Sequence, residues 1–171
     1  LGGSSLTSIT IPDSVTSIGD YAFGYCNSLT EINFNATNMS DLSSGNRVFY
    51  NAGQDGEGIT VNIGANVTRI PAYLFNPYDN ELYSPKITTV NFAESSQCTE
   101  IGDYAFRYCS SLISITIPYS VTSIGSHAFE DCLSLRSVTF ENVYVWLVCT
   151  CTVVLGTQLS PSSLANITNS G

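Results

Sequence analysis

Cysteine is the residue type in this 171-residue chain whose spacing most invites a chemical role. Three of the six cysteines, Cys26, Cys109 and Cys132, end the same phrase, Ala-Phe-x-x-Cys, and Ala52 takes this place in a weaker copy. A position shared by Cys and Ala is typical of a small buried apolar site, because a free thiol packs as a small hydrophobe. Cys98 likewise stands where other copies have valine. We therefore predict four buried structural thiols, since side chains that point in parallel do not form disulfides.

A second pattern, Cys149-x-Cys151, lies in an alternating apolar stretch that predicts a terminal strand. The two thiols would share one face of that strand. A zinc site needs further ligands, however, and neither a histidine nor a second pair of cysteines is near in sequence. Packing within a C-terminal cap is the favoured interpretation, and a reactive or cross-linking pair is the alternative.

His127 is the single histidine of the chain, and its equivalents in other copies are Tyr21 and Tyr104. A position that accepts tyrosine is a poor candidate for a general base, which must lie beside a nucleophile in a pocket. The acidic loop 55–57 offers too few oxygen ligands for calcium. We therefore predict no catalytic residue, no metal site and no cofactor.

These residues are carried on a repeated unit. The segment VTSIGDYAFGYCNSLTEINF at 15–34 returns as CTEIGDYAFRYCSSLISITI at 98–117 and as VTSIGSHAFEDCLSLRSVTF at 121–140. The last two copies are offset by 23 residues, for example from Phe106 to Phe129. A fixed period in this range is the signature of a stacked-repeat solenoid, in which each unit packs on its neighbours.

Each unit ends on the phrase L-x-x-I-x-[IF], whose last two apolar residues point to the same face of a strand. The strands are centred on Ile32, Val61, Val90, Ile115 and Val138, at separations of 29, 29, 25 and 23 residues. The constant phrase and the variable spacing predict parallel strands that stack in register, with the length changes confined to loops.

Local patterns add narrower predictions. The segment 20–26 is long enough for one or two helical turns, which Asp20 would cap. The second unit, about 38–66, is degenerate, and Gly58 stands where other units have leucine, so we expect weaker packing there. The third unit carries an insertion at 76–85.

The unit pattern V-T-x-I-x-x-x-A-F-x-x-C-x-x-L-x-x-I-x-[IF] resembles the BspA-type leucine-rich repeat. The resemblance implies an α/β repeat fold, a leucine-rich-repeat solenoid with parallel strands on the concave face, short helical turns or irregular structure on the convex side, and a C-terminal cap. It also implies a secreted or surface-displayed protein of a gut or oral bacterium, or of a mucosal protozoan. We assign residues 1–142 to a partial first unit plus five repeats, and 143–171 to the cap and tail.

The charge balance narrows the choice of partners. Five basic residues against fourteen acidic ones give a net charge of −9, which disfavours nucleic acid and anionic lipid. No run reaches the roughly 20 apolar residues of a membrane helix, so we predict no membrane insertion. The chain starts within a repeat-like phrase, and we expect it to be a piece of a longer protein.

Without a catalytic pattern, the candidate functional residues are those that face solvent. The polar positions of the predicted concave face are Thr30, Glu31, Asn33, Thr60, Asn62, Thr88, Thr89, Asn91, Ser114, Thr116, Arg136 and Thr139. A second group, Tyr73, Tyr78 and Tyr83 around the insertion, would either hold a partner or pack over the edge of the solenoid. We predict a non-enzymatic extracellular or cell-surface module that binds a protein or glycan in adhesion or host interaction. The alternative is a structural spacer that displays another domain.

Overall fold

The computed structural model describes residues 5–78 and 81–141, which form nine short strands and one single-turn 3-10 helix. In chain order the strands are β1 (Ser8–Ile11), β2 (Glu31–Phe34), β3 (Ile59–Ile63), β4 (Arg69–Ile70), β5 (Ile87–Phe92), β6 (Glu100–Ile101), β7 (Ser114–Ile117), β8 (Ser123–Ile124) and β9 (Ser137–Phe140). The helix is Glu81–Tyr83. The predicted cap at 143–171, with Cys149 and Cys151, lies outside the described residues.

The longer strands stack as the repeat predicts. Strands β1, β2, β3 and β5 form a four-stranded parallel sheet in that order, and its register places Ile32, Val61 and Val90 side by side. Strands β7 and β9 pair in the same way, with Ile115 opposite Val138. Because side chains alternate along a strand, the apolar residues of all units enter one core. The prediction of parallel strands in register is confirmed.

The row of strands is divided between β5 and β7, which are neighbours in space but belong to different sheets. Phe92 at the end of β5 is only half-buried there, whereas its register partner Ile63 is buried. A second sheet of β4, β6 and β8 runs across this division. It therefore joins the third, fourth and fifth units where the main ladder is interrupted.

A β-bulge between β3 and β5 corrects one prediction about the second unit and one about the third. Ile59, rather than Gly58, fills the buried position and is fully buried, so the packing is not weakened. Gly58 has a φ of 129°, and a Cβ added to it would lie 2.4 Å from Thr88. Thr88 is the extra residue of the bulge, and Thr89 takes the predicted place beside β3, because one inserted residue shifts the register by one.

Turns, rather than helical turns, follow β1 in the first unit. Tyr21 and Tyr25 have φ values of 54° and 58°, a left-handed conformation that interrupts a right-handed helix. The turn instead bonds to the next coil: the Phe23 amide donates to the Val48 carbonyl at 2.8 Å, and the Tyr25 amide donates to the Tyr50 carbonyl at 2.7 Å. The prediction of helical turns is wrong because every second amide bonds to the next coil, which leaves only isolated turns, such as the Gly24 amide donating to the Tyr21 carbonyl at 3.0 Å.

Asp20 also differs from its predicted role as a cap of its own turn. Its Oδ1 accepts a hydrogen bond from the backbone amide of Arg47, in the next coil, at 2.8 Å. Asp103 accepts from the Ser126 amide in the same way at 2.7 Å. These carboxylates link successive coils, because each amide lies within reach of the coil before it.

A column of phenylalanine rings fills the core, one ring from each full unit. The rings of Phe23, Phe49, Phe75, Phe106 and Phe129 stack in this order with centroid separations of 5.3, 5.4, 5.1 and 5.4 Å. The equivalence of the degenerate second unit with the first is thereby confirmed at this position.

Candidate binding surfaces

The asparagines predicted for the concave face are brought together as an amide ladder. Nδ2 of Asn62 donates to Oδ1 of Asn33 at 3.0 Å and to Oε1 of Glu31 at 3.1 Å. Nδ2 of Asn91 then donates to Oδ1 of Asn62 at 3.1 Å. Because these side chains bond to each other along the stack, part of their hydrogen-bonding capacity serves the fold.

The remaining concave-face candidates line the same row. Thr60 pairs with Glu31 of β2, and Thr116 pairs with Thr139 across β7 and β9. Ser114 and Arg136 are exposed, as is Thr30. The half-buried Thr88 departs from the row, since it lies at the bulge. The row as a whole is polar, and its role in binding stays a prediction.

The three candidate tyrosines are separated into two clusters. Tyr78 and Tyr83 join a set of aromatic side chains from the first and second units, whereas Tyr73 joins a different stack. We call the first set the tyrosine patch, and it consists of Tyr21, Tyr25, Tyr50, Tyr78, Tyr83 and Arg47. Sequence reasoning missed Tyr21 and Tyr25 as candidates; the signal was the D-Y-A-F-x-Y phrase, which repeats tyrosine at fixed positions.

Tyr50 holds the tyrosine patch together. Its ring is only 6% exposed and meets the rings of Tyr21 and Tyr25 edge-on, with centroid separations of 5.3 and 5.5 Å. It stacks on the Tyr83 ring at 4.8 Å. Edge-to-face and offset-stacked contacts at these distances are favourable for aromatic pairs. The buried ring therefore fixes the exposed ones from below.

Arg47 links the patch to the third unit. Its guanidinium lies 4.3 Å from the ring centroid of Tyr78 and 5.4 Å from that of Tyr21. The same group is 3.6 Å from Oδ2 of Asp20, and it donates to the Gly45 carbonyl at 3.2 Å. A cation held over two rings is a stabilising arrangement. It also places a neutralised ion pair at the rim of the patch.

Tyr73 belongs to a second ring stack on the later units. Its ring stacks on that of Tyr104 at 5.0 Å, and His127 continues the stack at 4.8 Å. Burial, with smaller contributions from Tyr104 and Asp103, raises the pKa of the Tyr73 hydroxyl. His127 therefore serves as an aromatic member of the stack, which explains why its position is shared with tyrosine.

Most basic side chains in the described part of the chain face acids or carbonyls of other coils. Arg69 lies 2.6 Å from Asp41, a contact that raises the pKa of its guanidinium, and 3.4 Å from Glu100. Nε of Arg107 is 2.6 Å from Glu130. These pairs, with the Arg47 pair, leave the surface dominated by the excess of acidic residues.

A shallow polar groove lies where β1, β2 and β3 end. Thr10, Pro12, Asp13, Asn35, Gly64, Ala65 and Asn66 line it. These residues offer hydroxyl, amide and carboxylate groups but neither a histidine nor a cysteine. Among residues 5–78 and 81–141, no three His, Cys, Asp or Glu side chains are grouped to hold a metal ion. Nor does that part of the chain have a helix long and apolar enough to cross a bilayer.

The four cysteines of the repeats are buried and form no disulfide, which confirms their prediction as structural thiols. Sγ of Cys132 donates to the Phe106 carbonyl at 3.1 Å. Burial raises the pKa of Cys98 to about 11 and that of Cys132 to about 12, and it raises the pKa of Cys109 well above its ordinary value. Cys98, Cys109 and Cys132 are therefore protonated and inert at neutral pH.

This burial predicts how the thiols respond to reagents and to pH. In a Cys149→Ser/Cys151→Ser background, we expect no reaction with Ellman's reagent at pH 8 until denaturant is added. Stability should hold below about pH 8.5 and then fall with rising pH up to about 11. The loss is about 1.4 kcal/mol per pH unit for each of Cys98, Cys109 and Cys132, because the unfolded state releases its proton first. Urea unfolding at several pH values measures it.

The matched controls use replacements that other units already contain. Cys98→Val and Cys132→Ala should each reduce the loss of stability at alkaline pH, because each removes one thiol. Both replacements should be tolerated, since valine and alanine occupy the equivalent positions elsewhere in the chain. Reaction of the native thiols at the rate of a small peptide thiol would contradict the prediction.

Parallel strands stacked in register around a shared core, with turns on the opposite side, define a leucine-rich-repeat solenoid. The chain belongs to the BspA type leucine-rich repeat family, whose model matches six copies over residues 2–82 and 78–145. The resemblance noted in the sequence is thus confirmed. No curated protein sequence matches the chain.

Several solved bacterial structures are similar to the chain. A leucine-rich cell surface protein of Faecalibacterium prausnitzii is 27% identical, with a TM-score of 0.47 over 81% of this chain and 40% of that protein. A leucine-rich repeat protein of Bacteroides ovatus is 25% identical, with a TM-score of 0.48 and coverage of 81% and 38%. The pneumococcal vaccine antigen PcpA is 20% identical, with a TM-score of 0.51 and coverage of 79% and 40%, a likeness of fold. The chain spans about two fifths of the length of these proteins.

Proposed function

We propose that this chain is a non-enzymatic binding module of an extracellular or surface-displayed protein, which engages a protein or glycan through the tyrosine patch. The observation that carries the proposal is the exposure of Tyr21, Tyr25 and Tyr78, at 39, 41 and 43%, beside Arg47. Tyrosine and arginine are the residues most enriched among those that dominate binding energy. Family membership supports the extracellular location.

The patch is favoured over the concave face for a physical reason. The amides of Asn33, Asn62 and Asn91 already bond along the stack, so a ligand would compete with those bonds. The exposed rings of Tyr21 and Tyr25, by contrast, lose only water when a partner covers them. Covering such rings contributes favourable free energy in proportion to the apolar area removed from water.

Charge restricts the kind of partner. The net charge is −9, and the guanidinium groups of Arg47, Arg69 and Arg107 each lie against a carboxylate. An anionic partner would meet a surface of the same sign, which lowers the rate of association and the affinity. The proposal is therefore for a neutral or basic partner.

Binding to immobilised mucin from which the sialic acid and sulfate groups have been removed, and which therefore presents protein and neutral glycan, tests the proposal. We expect the wild-type chain to bind in biolayer interferometry, and a Tyr21→Ser/Tyr25→Ser/Tyr78→Ser variant to lose at least about tenfold in affinity, as for central contact residues. A Tyr119→Ser variant is the matched control, because Tyr119 is 59% exposed but lies outside the patch. Circular dichroism verifies that each variant is folded.

A concave-face variant, Asn33→Ser/Asn91→Ser, distinguishes the two surfaces. Loss of mucin binding in this variant alone would move the site to the concave face. Absence of binding by the wild type, at concentrations up to the millimolar range, would contradict the proposal as a whole.

A structural spacer is the second candidate function. It is favoured by the second sheet, in which β4, β6 and β8 join units across the interruption of the main ladder. It is also favoured because the chain spans only about 40% of the length of the bacterial relatives. An isolated chain that binds nothing, and a longer protein that binds through another domain, would support the spacer.

A further inference from the structure

We infer that Tyr21 and Tyr25 form a platform for the apolar face of a neutral sugar, an inference that rests on the proposed binding role of the tyrosine patch. The two rings are stacked, parallel within 2° and with centroids 6.4 Å apart. Tyr21 and Tyr25 are each about two fifths exposed. One face of a pyranose ring carries C–H groups that pack on aromatic rings, while its hydroxyls point outward to polar side chains.

The platform is held in place before any ligand arrives. Tyr21 and Tyr25 both occupy the left-handed region, which fixes the direction of their side chains. The Tyr25 amide donates to the Tyr50 carbonyl at 2.7 Å, and the Tyr50 ring lies edge-on against both platform rings. A surface ordered in advance loses little conformational entropy on binding, and tyrosine has few rotatable bonds to fix.

The rim of the platform carries groups that suit hydroxyls. Asp20 directly precedes Tyr21 in the sequence, and its carboxylate accepts a hydrogen bond from the Arg47 amide. The Gly45 carbonyl and the Asn46 side chain lie in the adjoining turn, where Asn46 Oδ1 accepts from Ser43 Oγ at 2.6 Å. Each of these oxygens already accepts one hydrogen bond within the protein, and its second lone pair is the one that would accept from a sugar hydroxyl.

Charge then selects neutral over acidic sugars. The Arg47 guanidinium lies 3.6 Å from Asp20 and over the rings of Tyr21 and Tyr78, so its charge is already neutralised. The rest of the protein is strongly acidic. A sugar carboxylate would therefore find no unpaired cation at the platform and would be repelled by the net charge.

A neutral sugar fits the patch better than a proline-rich peptide. Such peptides dock in aromatic-lined grooves that close on both sides of the chain. Tyr21 and Tyr25 instead lie on a turn that faces solvent, where a flat ligand can approach from one side.

Saturation-transfer NMR and calorimetry with lactose and 3′-sialyllactose test the inference, since the two probes differ by one acidic sugar. We expect millimolar binding of lactose and at least about fivefold weaker binding of sialyllactose at low salt, a difference that shrinks as salt screens the repulsion. Tyr21→Ala and Tyr25→Ala should each weaken lactose binding at least about tenfold. Tyr119→Ala should not change it.

A Tyr21→Phe/Tyr25→Phe variant keeps both rings and removes only the hydroxyls. We expect it to retain lactose binding within about threefold, because the ring faces carry the contact. Loss of mucin binding on substitution of the patch, without binding of lactose or other neutral oligosaccharides, would overturn the inference and leave the proposed function standing. Equal binding of both probes, or tighter binding of a polyproline peptide than of lactose, would also overturn it.

Discussion

Replacing Phe106 by alanine is expected to destabilise the protein by about 3–5 kcal/mol, the usual cost of removing a buried aromatic ring. Phe106 is fully buried and stacks on Phe75 at 5.1 Å and on Phe129 at 5.4 Å. Its removal leaves a cavity between two coils and breaks the ring column in the middle. Urea unfolding followed by circular dichroism measures the loss.

Phe23→Ala is the matched control, since the same substitution is made at the first ring of the column. Phe23 is only partly buried and stacks on Phe49. We expect it to cost less than half as much, because less surface is returned to water. Equal losses at Phe106 and Phe23 would contradict the picture of a column whose interior members carry more of the stability.

The second large effect is expected at a glycine that recurs in the repeat. Gly102→Ala should destabilise the protein by about 2–3 kcal/mol, the cost of overpacking against rigid neighbours. A Cβ at Gly102 would lie 2.6 Å from the Ala72 amide nitrogen and 2.9 Å from the Ile70 carbonyl oxygen. These atoms are backbone of the preceding coil and take part in the stack, so they cannot move without separating the coils. Thermal and urea unfolding report the change.

The same substitution at Gly19 provides a close control, because Gly19 holds the equivalent position in the first unit. A Cβ there would meet nothing within 4 Å. We expect Gly19→Ala to be neutral or to stabilise the protein by up to about 1 kcal/mol through the unfolded chain. If Gly102→Ala proved as harmless as Gly19→Ala, the close backbone contact between the third and fourth units would be wrong.

The repeat phrase was sufficient to predict the stack and its core. Cys109 and Cys132 were placed in a buried position by comparison with Ala52, and Phe129 was placed over Phe106 by the 23-residue offset. Such predictions succeed because equivalent residues of a solenoid repeat the same environment. One good copy of the unit therefore describes the others.

The repeat phrase could not predict the contacts between coils. The partner of Asp20 is the amide of Arg47, which lies 27 residues away, and local sequence favours the shorter option of a cap on its own turn. The left-handed conformation of Tyr21 and Tyr25 could not be predicted for the same reason, since nothing in the neighbouring sequence indicates a positive φ. It accompanies the hydrogen bonds that the Phe23 and Tyr25 amides make to the next coil.

The tyrosine patch could be predicted only in part. Tyr78 and Tyr83 were marked by the insertion, but Tyr73, near them in sequence, joins the stack of Tyr104 instead. Membership of the patch depends on how the insertion folds back on the first two units. A repeat pattern carries no information on that path, because the insertion occurs once.

The bulge between β3 and β5 has a consequence for protein engineering. The register shift between Ile59 and Thr60 is absorbed by the single extra residue Thr88, so Val90 lies opposite Val61 and the rest of β5 pairs in register with β3. The bulge thus confines this length difference to the coil in which it occurs. A foreign loop grafted between Phe75 and Ile87 would preserve this alignment only if it kept the bonds of this segment to the preceding coil, in which the carbonyls of Tyr83 and Lys86 accept from the amides of Asn51 and Ile59 at 2.7 Å.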